Sequence, residues 1–457
     1  LDQDAIEAFE EMKKDGVEPD KATYSCILKA CSNIECLPKG RQIHDQILGR
    51  GFHLDSIFEN SLMDMYAKCG ELDAARKMFD CLTQKDIGSW SIMISGYTRY
   101  GQNIAAFELY DRMYYEGFEP EKATMISILK SCGISTLISY GRLVNYTIIR
   151  SGFEQDVIVG NSLVDMYCKC GSLIEAQTVF QTMTIHNVVS WNALIAGYVH
   201  HGCNLYALEI FDEMQKEGLL PDRITFSCIL KACTRLGSIL EGKRVHEKLV
   251  KDGFQMSMVV GSTLVDMYAK CGHIEEACEV FDKMPNRGLF SWGAMIAGYT
   301  LQGDSYKALD LYWKMVSEYV KPDKVTLLCV LKACCSMGAL GQGKLIHMEI
   351  VQNNLEIDVA IGSLLVDMYS KCGLLSESYD VFNELLVQSV VSWTALIAGY
   401  AEHGDGEEGL LCLNKMQMEG IPPDVVTYVC GLKACSKIGF IEKGFELHSS
   451  IIERGFE

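Results

Sequence analysis

The sequence has no surplus of basic residues and no long apolar run. Its 457 residues carry 41 Lys and Arg against 60 Asp and Glu, a formal net charge of −19. An acidic total argues against a protein that binds nucleic acid through unspecific charge alone. No apolar run approaches the length of a membrane-spanning helix, so we expect no membrane contact. The chain lacks an initiator Met and begins and ends inside a repeating pattern, so we expect a fragment whose targeting segments stay undecided.

The sequence also lacks a complete catalytic or metal-binding motif. His347 and Glu349 match the His-x-Glu half of the zinc-deaminase signature, but no Pro-Cys-x-x-Cys follows them. His347 recurs with the repeat at His44, His246 and His448, which favours a structural role. The 20 cysteines sit mostly in repeated apolar contexts, which favours buried free thiols in a reducing compartment over zinc or redox sites. We therefore expect no enzymatic activity, no cofactor and no metal.

A repeat of 101 residues runs through the chain. The Trp of a Ser-Trp pair recurs at Trp90, Trp191, Trp292 and Trp393. A second marker, Asp-Met-Tyr-x-Lys-Cys-Gly, begins at Asp64, Asp165, Asp266 and Asp367. A third marker, Leu-Lys-x-Cys, begins at Leu28, Leu129, Leu230, Leu331 and Leu432. Three markers with one spacing establish a repeat array. Each Trp lies on the apolar side of its predicted helix, which favours a core position over a base-stacking surface.

Each 101-residue unit divides at recurring glycines into segments of 35, 35 and 31 residues. Each segment predicts two helices. In 188–222, apolar residues at helical spacing lie on both sides of Gly202, and Gly218 ends the second helix. A single hairpin cannot bury its apolar faces, whereas stacked neighbours can. The sequence therefore predicts an all-α fold, an α-solenoid superhelix of the right-handed type built from helix-turn-helix hairpins, with one concave face and no second domain.

These segments resemble the pentatricopeptide repeats of the plant PLS class. The resemblance is carried by VVSWNALIAGYVHHG (188–202), LEIFDEMQKEGLLPD (208–222), FSCILKACTRLGSILEGKRVH (226–246) and VGSTLVDMYAKCG (260–272). That class alternates hairpins named P, L and S, which have the lengths found here, and the resemblance covers the entire chain. Tetratricopeptide arrays repeat uniformly near 34 residues, which does not give this alternation.

The resemblance predicts a single array over 1–457, in which P, L and S hairpins alternate. The P hairpins are 1–20 (partial), 87–121, 188–222, 289–323 and 390–424. The L hairpins are 21–55, 122–156, 223–257, 324–358 and 425–457 (partial). The S hairpins are 56–86, 157–187, 258–288 and 359–389.

The family implies a function. Its hairpins bind single-stranded RNA with about one base each, and PLS arrays resemble most often the site-recognition factors of organellar cytidine-to-uridine editing. We therefore expect a monomer that binds organellar RNA. Its expected protein partner is a deaminase or an editing helper protein. We expect it in the mitochondrion or plastid, with the mitochondrion preferred. Two alternatives stay open. One is an organellar factor for RNA splicing, stability or translation without editing. The other is a protein-binding scaffold, which the acidic charge favours slightly.

In the family, the fifth and the last residue of a P or S hairpin choose the base, and we call these two residues the reader pair of the hairpin. The resemblance predicts uracil for Asn60 with Asp86 and for Asn192 with Asp222. It predicts cytosine for Asn161 with Asn187, guanine for Thr394 with Asp424, and a purine for Ser91 with Glu121. An Asn amide carries donors and an acceptor that can match a pyrimidine edge, and a Thr hydroxyl can serve a purine.

The other hairpins depart from this pattern. No base is predicted for Ser262 with Gly288, Gly293 with Asp323, or Ser363 with Ser389. The L hairpins are poor readers in the family; their pairs are Ser25 with Asp55, Ile126 with Asp156, Ser227 with Ser257, and Leu328 with Asp358. We therefore expect sequence selectivity from about four hairpins, chiefly in the first half of the array.

Apolar second residues and capping complete this interpretation. The second residues predicted to pack against bases are Ile57, Ile158, Val189, Val259 and Val391. The last-position residues Asp86, Asp222 and Asp424 also suit helix capping, alone or together with base contact. Asn is a mediocre helix former, so the fifth-position Asn residues favour RNA contact.

Three rows of basic residues recur with the repeat. The resemblance assigns phosphate contact to Lys68, Lys169, Lys270 and Lys371. The second row is Lys29, Lys130, Lys231, Lys332 and Lys433, and the third is Arg41, Arg142, Lys243 and Lys344. For the second and third rows a solvated helix face is favoured over phosphate contact. A lysine near a helix C-terminus is also favourable with the helix dipole, which is the alternative for the first row.

Overall fold

A computed structural model of the protein describes residues 1–50, 56–254, 257–352 and 357–455. These residues form 27 helices and no strand, which confirms the predicted all-α fold. They divide into two compact units, Leu1–Ala232 and Cys233–Glu457, and each unit is described by itself. No helix in the described ranges is long and apolar enough to cross a lipid bilayer.

The helices of the first unit are α1 (Asp2–Lys14), α2 (Lys21–Asn33), α3 (Leu37–Gly49), α4 (Ser56–Lys68), α5 (Leu72–Cys81), α6 (Ile87–Arg99), α7 (Asn103–Tyr115), α8 (Lys122–Ser135), α9 (Ile138–Arg150), α10 (Val157–Lys169), α11 (Leu173–Thr182), α12 (Val188–His200) and α13 (Asn204–Lys216). The boundary between the units falls inside α14 (Arg223–Leu236).

The helices of the second unit are α15 (Ile239–Lys251), α16 (Met258–Lys270), α17 (Ile274–Lys283), α18 (Leu289–Gln302), α19 (Ser305–Ser317), α20 (Lys324–Met337), α21 (Leu340–Gln352), α22 (Val359–Lys371), α23 (Leu375–Glu384), α24 (Val390–His403), α25 (Gly406–Met418), α26 (Val425–Ile438) and α27 (Ile441–Glu453).

Within each unit the helices alternate between two layers. The even-numbered helices, which we call first helices, pack side by side, as α4 does with α2 and α6, and α22 with α20 and α24. The odd-numbered second helices pack against first helices, as α5 does with α4 and α6. Stacking of helical hairpins buries the apolar faces that one hairpin would leave exposed, as solenoids do. This arrangement confirms the predicted stack and places the first helices in one layer.

The tryptophans of the repeat lie in the core between hairpins. Trp90 in α6 is fully buried and meets Phe79 of α5 edge to face, with ring centroids 4.7 Å apart. The same contact recurs at 4.8 Å for Trp191 with Phe180, 4.8 Å for Trp292 with Phe281, and 4.5 Å for Trp393 with Phe382. Edge-to-face pairing of large buried rings contributes strongly to core stability. The predicted core position of the tryptophans is confirmed.

A glycine on each P hairpin's first helix fixes how closely it approaches the preceding S hairpin. A Cβ on Gly298 in α18 would lie 2.7 Å from the Cβ of Ala269 in α16. A Cβ on Gly197 in α12 would lie 2.2 Å from the Sγ of Cys168 in α10. Both glycines therefore permit a backbone approach that any larger residue would prevent.

Two turns of the L hairpins adopt backbone conformations that glycine takes elsewhere in the repeat. Glu35 has φ 55° and Thr136 has φ 53°, in the left-handed region that disfavours side chains. The corresponding residues of later units are Gly237 with φ 63° and Gly338 with φ 63°. The fold therefore imposes one turn geometry on every L hairpin, whether or not the residue suits it.

Candidate nucleic-acid interface

In most of the predicted P and S hairpins, though not those that end at Glu121 and Gly288, the side chain of the last residue caps the first helix of the next hairpin. Asp86 is the N-cap of α6, and its Oδ1 accepts from the backbone N–H of Ser89 at 2.7 Å. Asp222 accepts from two N–H groups at the start of α14, each at 2.9 Å. Asn187 and Asp424 cap α12 and α26 in the same way. These side chains satisfy donors that the helix start leaves unpaired.

The cap residues also contact the fifth residue of the hairpin that they end. The Nδ2 of Asn60 donates to both carboxylate oxygens of Asp86, each at 3.1 Å. The Nδ2 of Asn192 donates to the Oδ1 of Asp222 at 3.0 Å. The two predicted uracil reader pairs are therefore direct side-chain contacts, and capping coexists with pairing in both.

The Asn161 and Asn187 pair joins two amides. The Nδ2 of Asn161 donates to the Oδ1 of Asn187 at 3.3 Å. The Oδ1 of Asn161 is buried and meets no donor among the described residues. An unpaired buried polar atom costs about 1–3 kcal/mol, so this pair is less completely hydrogen-bonded than the two Asn–Asp pairs.

The predicted guanine pair is connected through a third residue. The Oγ1 of Thr394 lies 2.7 Å from the Oγ1 of Thr427, which lies 2.7 Å from the Oδ1 of Asp424. The structure therefore links Thr394 and Asp424 by a chain of two hydroxyl groups and one carboxylate. Within the described residues, Thr394 and Asp424 make no direct hydrogen bond with each other.

The predicted purine pair is not brought together. The hydroxyl of Ser91 lies 2.5 Å from the Oγ1 of Thr124. Glu121 is the N-cap residue of α8 by position, but its side chain makes no capping hydrogen bond. Ser91 therefore has a partner, although that partner is not Glu121.

The pairs without a predicted base differ in their contacts. Ser363 and Ser389 lie 3.3 Å apart through their hydroxyl groups. Ser262 instead donates to the carbonyl of Met258 in its own helix at 2.6 Å. Gly293 and Gly288 offer no side chain.

In the L hairpins 122–156 and 324–358 the last residue forms an ion pair with a lysine of the same hairpin. Asp156 caps α10 and forms an ion pair of 2.5 Å with Lys122. Asp358 caps α22 and pairs with Lys324. A carboxylate with an ammonium partner has less capacity for a ligand, which gives a physical reason for weak selectivity there. Asp55 lies outside the described residues.

The apolar second residues are exposed on the first helices. Ile57 is 73% exposed and lines a shallow groove together with Ser25, Lys29, Asn60 and Asp64. The exposed fractions of the others are 55% for Ile158, 58% for Val189, 58% for Val259 and 64% for Val391. The groove of α2 and α4 therefore combines an apolar side chain, a reader residue and charged groups on one surface.

The lysines predicted to contact phosphate are held by carboxylates of the same helix. Lys68 pairs with Asp64, four residues earlier, at 2.9 Å. The corresponding distances are 2.7 Å for Lys169 with Asp165, 2.8 Å for Lys270 with Asp266, and 2.8 Å for Lys371 with Asp367. Asp64 also accepts from the hydroxyl of Ser32 in α2 at 2.7 Å. Each lysine of this row is thus part of a locally neutral pair.

The other two basic rows behave differently from each other. Arg41 pairs with Glu71 at 2.7 Å, and Arg142 pairs with Glu175 at 2.8 Å, so the third row bridges neighbouring hairpins. Lys29 and Lys130 are exposed, and neither forms an ion pair in the described ranges. Lys29 lies one helical turn after the fifth residue of its hairpin, on the same side of α2. Among the described residues, Lys29 and Lys130 therefore carry positive charge that is not held in an ion pair.

The carboxylate of Asp222 is ionised at neutral pH. Burial alone would raise its pKa, but hydrogen bonds from the backbone N–H of Thr225, the side chain of Asn192 and the backbone N–H of Ile224 lower the pKa below its usual value. Hydrogen bonds to the charged form stabilise it. The Asn192 pair therefore presents a negative oxygen beside an amide.

Sequence motifs that suggested other chemistry have structural roles. The Nδ1 of His347 lies 2.9 Å from the hydroxyl of Tyr369, and His44 and His246 make the same contact with Tyr66 and Tyr268. Burial lowers the pKa of all three histidines. The structural role predicted for His347 is confirmed. All 20 cysteines are free, and no cluster in the described residues is arranged to hold a metal ion.

The sequence did not indicate the role of two groups of residues on this surface. One is the buried threonine at the third position of the L hairpins, such as Thr225, whose hydroxyl contacts Asn192 at 2.6 Å. The other is the Asp64 row, which neutralises the Lys68 row. Both groups recur every 101 residues, so their periodicity was available as a signal. The contact of Thr225 with Asn192 was not available, because Asn192 lies on a neighbouring helix, whereas Lys68 lies four residues after Asp64 on the same helix.

Known proteins of similar sequence decide the family. A chloroplastic pentatricopeptide repeat-containing protein of Arabidopsis thaliana is 35% identical over 439 residues, which cover 96% of this chain and 71% of that relative. The chain belongs to the pentatricopeptide repeat family. Models of this repeat match residues 3–33, 60–87, 88–118, 161–188, 186–235, 224–254, 262–289, 290–320, 363–390 and 388–456.

Other pentatricopeptide repeat-containing proteins of Arabidopsis thaliana match nearly the whole chain. One is 36% identical over 449 residues, covering 98% of this chain and 65% of the relative. A mitochondrial one is 36% identical over 462 residues, covering 97% of this chain and 51% of the relative. The chain thus spans between 51% and 71% of the length of these three relatives.

Solved structures show the same fold. The crystal structure of the maize pentatricopeptide repeat protein PPR10 superposes with a TM-score of 0.61 at 19% identity, covering 98% of this chain and 71% of that one. PPR10 in complex with an 18-nt psaJ RNA element superposes with a TM-score of 0.54 at 19% identity, covering 99% and 72%. At this identity the likeness establishes the helical-repeat fold.

Proposed function

We propose that this chain binds single-stranded RNA and selects bases along the surface of its first helices, about one base per hairpin. The observation that carries the proposal is the direct hydrogen bond between the fifth and the last residue of a hairpin. Asn60 with Asp86 and Asn192 with Asp222 form such pairs at 3.1 and 3.0 Å. A helical-repeat protein of the same fold, maize PPR10, has been solved in complex with RNA, which supports the proposal.

The paired groups have chemistry suited to the predicted bases. The amide of Asn192 uses one N–H for Asp222 and keeps a second for a carbonyl oxygen of uracil. Asn161 pairs with the neutral amide of Asn187 instead of a carboxylate, and amide oxygens are suited to accept from the amino group of cytosine. The carboxylate and the amide oxygens therefore favour different pyrimidine edges.

Exposed apolar side chains would hold the bases in place. Ile57, Ile158 and Val189 stand three residues before Asn60, Asn161 and Asn192 on their helices, so each lies on the same side as a reader residue. An apolar side chain next to a polar reader can pack on a base face while the reader contacts the base edge.

Together the reader pairs predict a short sequence pattern. With the N-terminal hairpins toward the RNA 5′ end, as in the family, hairpins 56–86 to 390–424 predict 5′-U-R-N-C-U-N-N-N-N-N-G-3′. R is a purine and N is any base. The first U faces 56–86, the C faces 157–187, and the second U faces 188–222. This pattern defines the oligonucleotide for a binding experiment.

The organelle and the process are the finer part of the proposal. Relatives of this chain are named as chloroplastic or mitochondrial proteins, which supports an organellar location. The PLS-like alternation favours site recognition for cytidine-to-uridine editing, with the chemistry supplied by a deaminase or an editing helper. Sequencing of organellar transcripts from plants with and without the protein tests this part. Loss of editing at one site supports it, whereas a splicing or transcript-stability defect with intact editing supports the alternative RNA role.

The binding experiment compares the matched RNA with variants in which the U, C and U facing 56–86, 157–187 and 188–222 are swapped. Affinities are measured at several salt concentrations. Phosphate contacts make the affinity for every RNA depend on salt, whereas the difference in affinity between matched and swapped RNAs comes from base contacts. We expect preference for the matched RNA, and we expect Asn161→Ala with Asn192→Ala to remove it.

A matched control separates reading from folding. Ser262→Ala changes a fifth residue whose hydroxyl is used inside its own helix, so the preference should stay intact. Binding that fails to distinguish the RNAs in both low and moderate salt would contradict direct readout. That outcome would bring forward the protein scaffold as the function.

A further inference from the structure

In three L hairpins a buried threonine contacts the side chain of the fifth residue of the preceding P hairpin. The Oγ1 of Thr225 lies 2.6 Å from the Oδ1 of Asn192, and that of Thr427 lies 2.7 Å from the Oγ1 of Thr394. Thr124 makes the corresponding contact with Ser91 at 2.5 Å. These threonines stand at the third position of their hairpins and are fully buried.

The other two kinds of hairpin junction lack this contact. At the start of the P hairpins the third residue is a serine, and its hydroxyl stays within the cap, as Ser89 donates to the carbonyl of Asp86 at 2.8 Å. At the start of the S hairpins the third residue is apolar and buried, as Phe58 and Val159 are. The threonine contact is thus specific to the junction from a P to an L hairpin among the described residues.

The position of one proton can be decided at Thr225. The Oδ1 of Asp222 already accepts three N–H groups, from Ile224, Thr225 and Asn192, at 2.9 to 3.0 Å. The hydroxyl of Thr225 lies 3.0 Å from that oxygen but 2.6 Å from the Oδ1 of Asn192. The hydroxyl of Thr225 therefore donates its proton to the Oδ1 of Asn192, which is nearer and accepts from fewer other donors.

The amide of Asn192 is therefore fixed in one orientation. Its nitrogen donates to the carboxylate of Asp222 and its oxygen accepts from Thr225. The flipped amide would place its oxygen against an ionised carboxylate and lose a charge-assisted hydrogen bond. Asn161 has no such partner for its oxygen, so only one of its amide groups is held.

At Thr427 the direction of hydrogen-bond donation is reversed: the reader residue, Thr394, donates to the threonine. Thr427 lies 2.7 Å from the Oδ1 of Asp424, so its proton belongs to that carboxylate. Its oxygen then accepts the proton of Thr394 at 2.7 Å. Thr394 is left with free lone pairs, which suit the N–H donors on the Watson–Crick edge of guanine.

We propose that the third-position threonine of an L hairpin is a positioning residue for the reader pair of the P hairpin before it. Thr225 holds the amide of Asn192 as a donor toward RNA, and Thr427 makes Thr394 an acceptor. Thr124 lacks a capping carboxylate, because Glu121 makes no cap bond, so Ser91 stays less selective. L hairpins thereby take part in selection although their own pairs are poor readers. This inference rests on the proposed RNA function.

The test uses the 457-residue chain and four RNAs that differ only in the nucleotide facing 188–222. Thr225→Val removes the hydroxyl at nearly constant volume. We expect the preference for uracil over cytosine at this nucleotide to fall about three- to tenfold, as for the loss of one hydrogen bond. The preference at the nucleotide facing 157–187 should not change. Thr225→Ser keeps the hydroxyl and should keep the preference.

Thr326 supplies a matched control for the loss of the helix cap. The backbone N–H of Thr326 donates to Asp323 at 2.9 Å, as that of Thr225 does to Asp222, and its hydroxyl lies 2.7 Å from the same carboxylate. The fifth residue of the hairpin before it is Gly293, which has no side chain to position. Thr326→Val should therefore lower the thermal midpoint of unfolding and leave every base preference intact.

Three results would overturn the inference. If Thr225→Val keeps its uracil preference, Thr225 does not position the reader, while the proposed function still stands. If it weakens binding to all four RNAs equally, its role is structural only. If the unaltered protein shows no base preference anywhere, the proposed function fails and the inference fails with it. Should Thr225→Val not fold, Thr427→Val tests the same idea through guanine over adenine at the nucleotide facing 390–424.

Discussion

The side-chain amide of Asn192 donates a hydrogen bond of 3.0 Å to the carboxylate of Asp222, 30 residues later in the chain. Asn192 belongs to α12, and Asp222, the last residue of the same hairpin, caps α14 of the next hairpin by accepting from the N–H of Thr225. A change in the next hairpin can therefore alter base selection as much as a change in the hairpin that supplies the Asn. Recognition in this account is a property of junctions.

Capping and base selection can be separated by comparing two aspartates. Asp86 caps α6 and pairs with Asn60, whereas Asp323 caps α20 and its hairpin has Gly293, without a side chain, at the fifth position. Asp86→Ala and Asp323→Ala should each cost about 1 kcal/mol of unfolding free energy, the usual loss for an N-cap. Only Asp86→Ala should remove the uracil preference at the nucleotide facing 56–86. Urea unfolding and RNA binding measure the two effects, and equal RNA phenotypes would refute the separation.

The left-handed turn at Thr136 predicts a stabilising substitution. Thr136 has φ 53°, a conformation that costs a residue with a side chain about 1 kcal/mol relative to glycine. Thr136→Gly should therefore raise the free energy of unfolding by about that amount. The reverse change, Gly237→Thr, should lower it. Denaturant unfolding tests both, and a Thr136→Gly protein that is less stable than the original would contradict the conformational argument.

The buried histidines predict a loss of stability on mild acidification. Burial lowers the pKa of His44, His246 and His347 from the ordinary value of 6.5. Below that pH the unfolded chain binds protons that the folded protein does not, so the free energy of unfolding falls. We expect the thermal midpoint to decrease between about pH 7 and pH 5.5.

Asparagine replacements provide the control for this pH dependence. Asn145 occupies the corresponding position of another unit and donates to the hydroxyl of Tyr167 at 3.1 Å. A protein with His44→Asn, His246→Asn and His347→Asn should therefore lose less stability over the same pH interval. An unchanged pH dependence would assign the effect to other titrating groups.

The two lysine rows predict different salt dependences. Lys68 and Lys169 are paired with carboxylates, whereas Lys29 and Lys130 are not. Replacing Lys29 and Lys130 by Gln should reduce the slope of log affinity against log salt by about 1.4, since each phosphate contact on a single strand contributes about 0.7. Gln at Lys68 and Lys169 should change it less. The opposite ranking would support the phosphate assignment that the family resemblance made for the Lys68 row.

Much of this molecule follows from its sequence because the repeat is regular. The spacing of Trp90 and its counterparts predicted the hairpins and their core, and the structure confirms both. Fifth and last residues were identified by resemblance, and for Asn60 and Asp86 the structure shows them in contact.

Side-chain contacts between neighbouring helices could not be predicted from the sequence. The hydroxyl that holds Asn192 comes from Thr225, in the next hairpin, and a threonine at a helix start is predicted to serve the cap alone. Likewise, the pairing of Lys68 with Asp64 could follow from their spacing of four residues, but the second contact of Asp64 with Ser32 depends on how α2 and α4 pack. Periodicity shows which residues recur and leaves their partners undetermined.

The most direct test of base selection is to reprogram one reader pair. Asn192→Thr converts the pair with Asp222 into the combination found at Thr394 with Asp424, with Thr225 placed as Thr427 is. Binding is measured to RNAs that carry U, C, A or G at the nucleotide facing 188–222. The account predicts that the preference moves from uracil to guanine at this nucleotide alone. Equal loss of affinity for all four RNAs, or an unchanged preference for uracil, would contradict it.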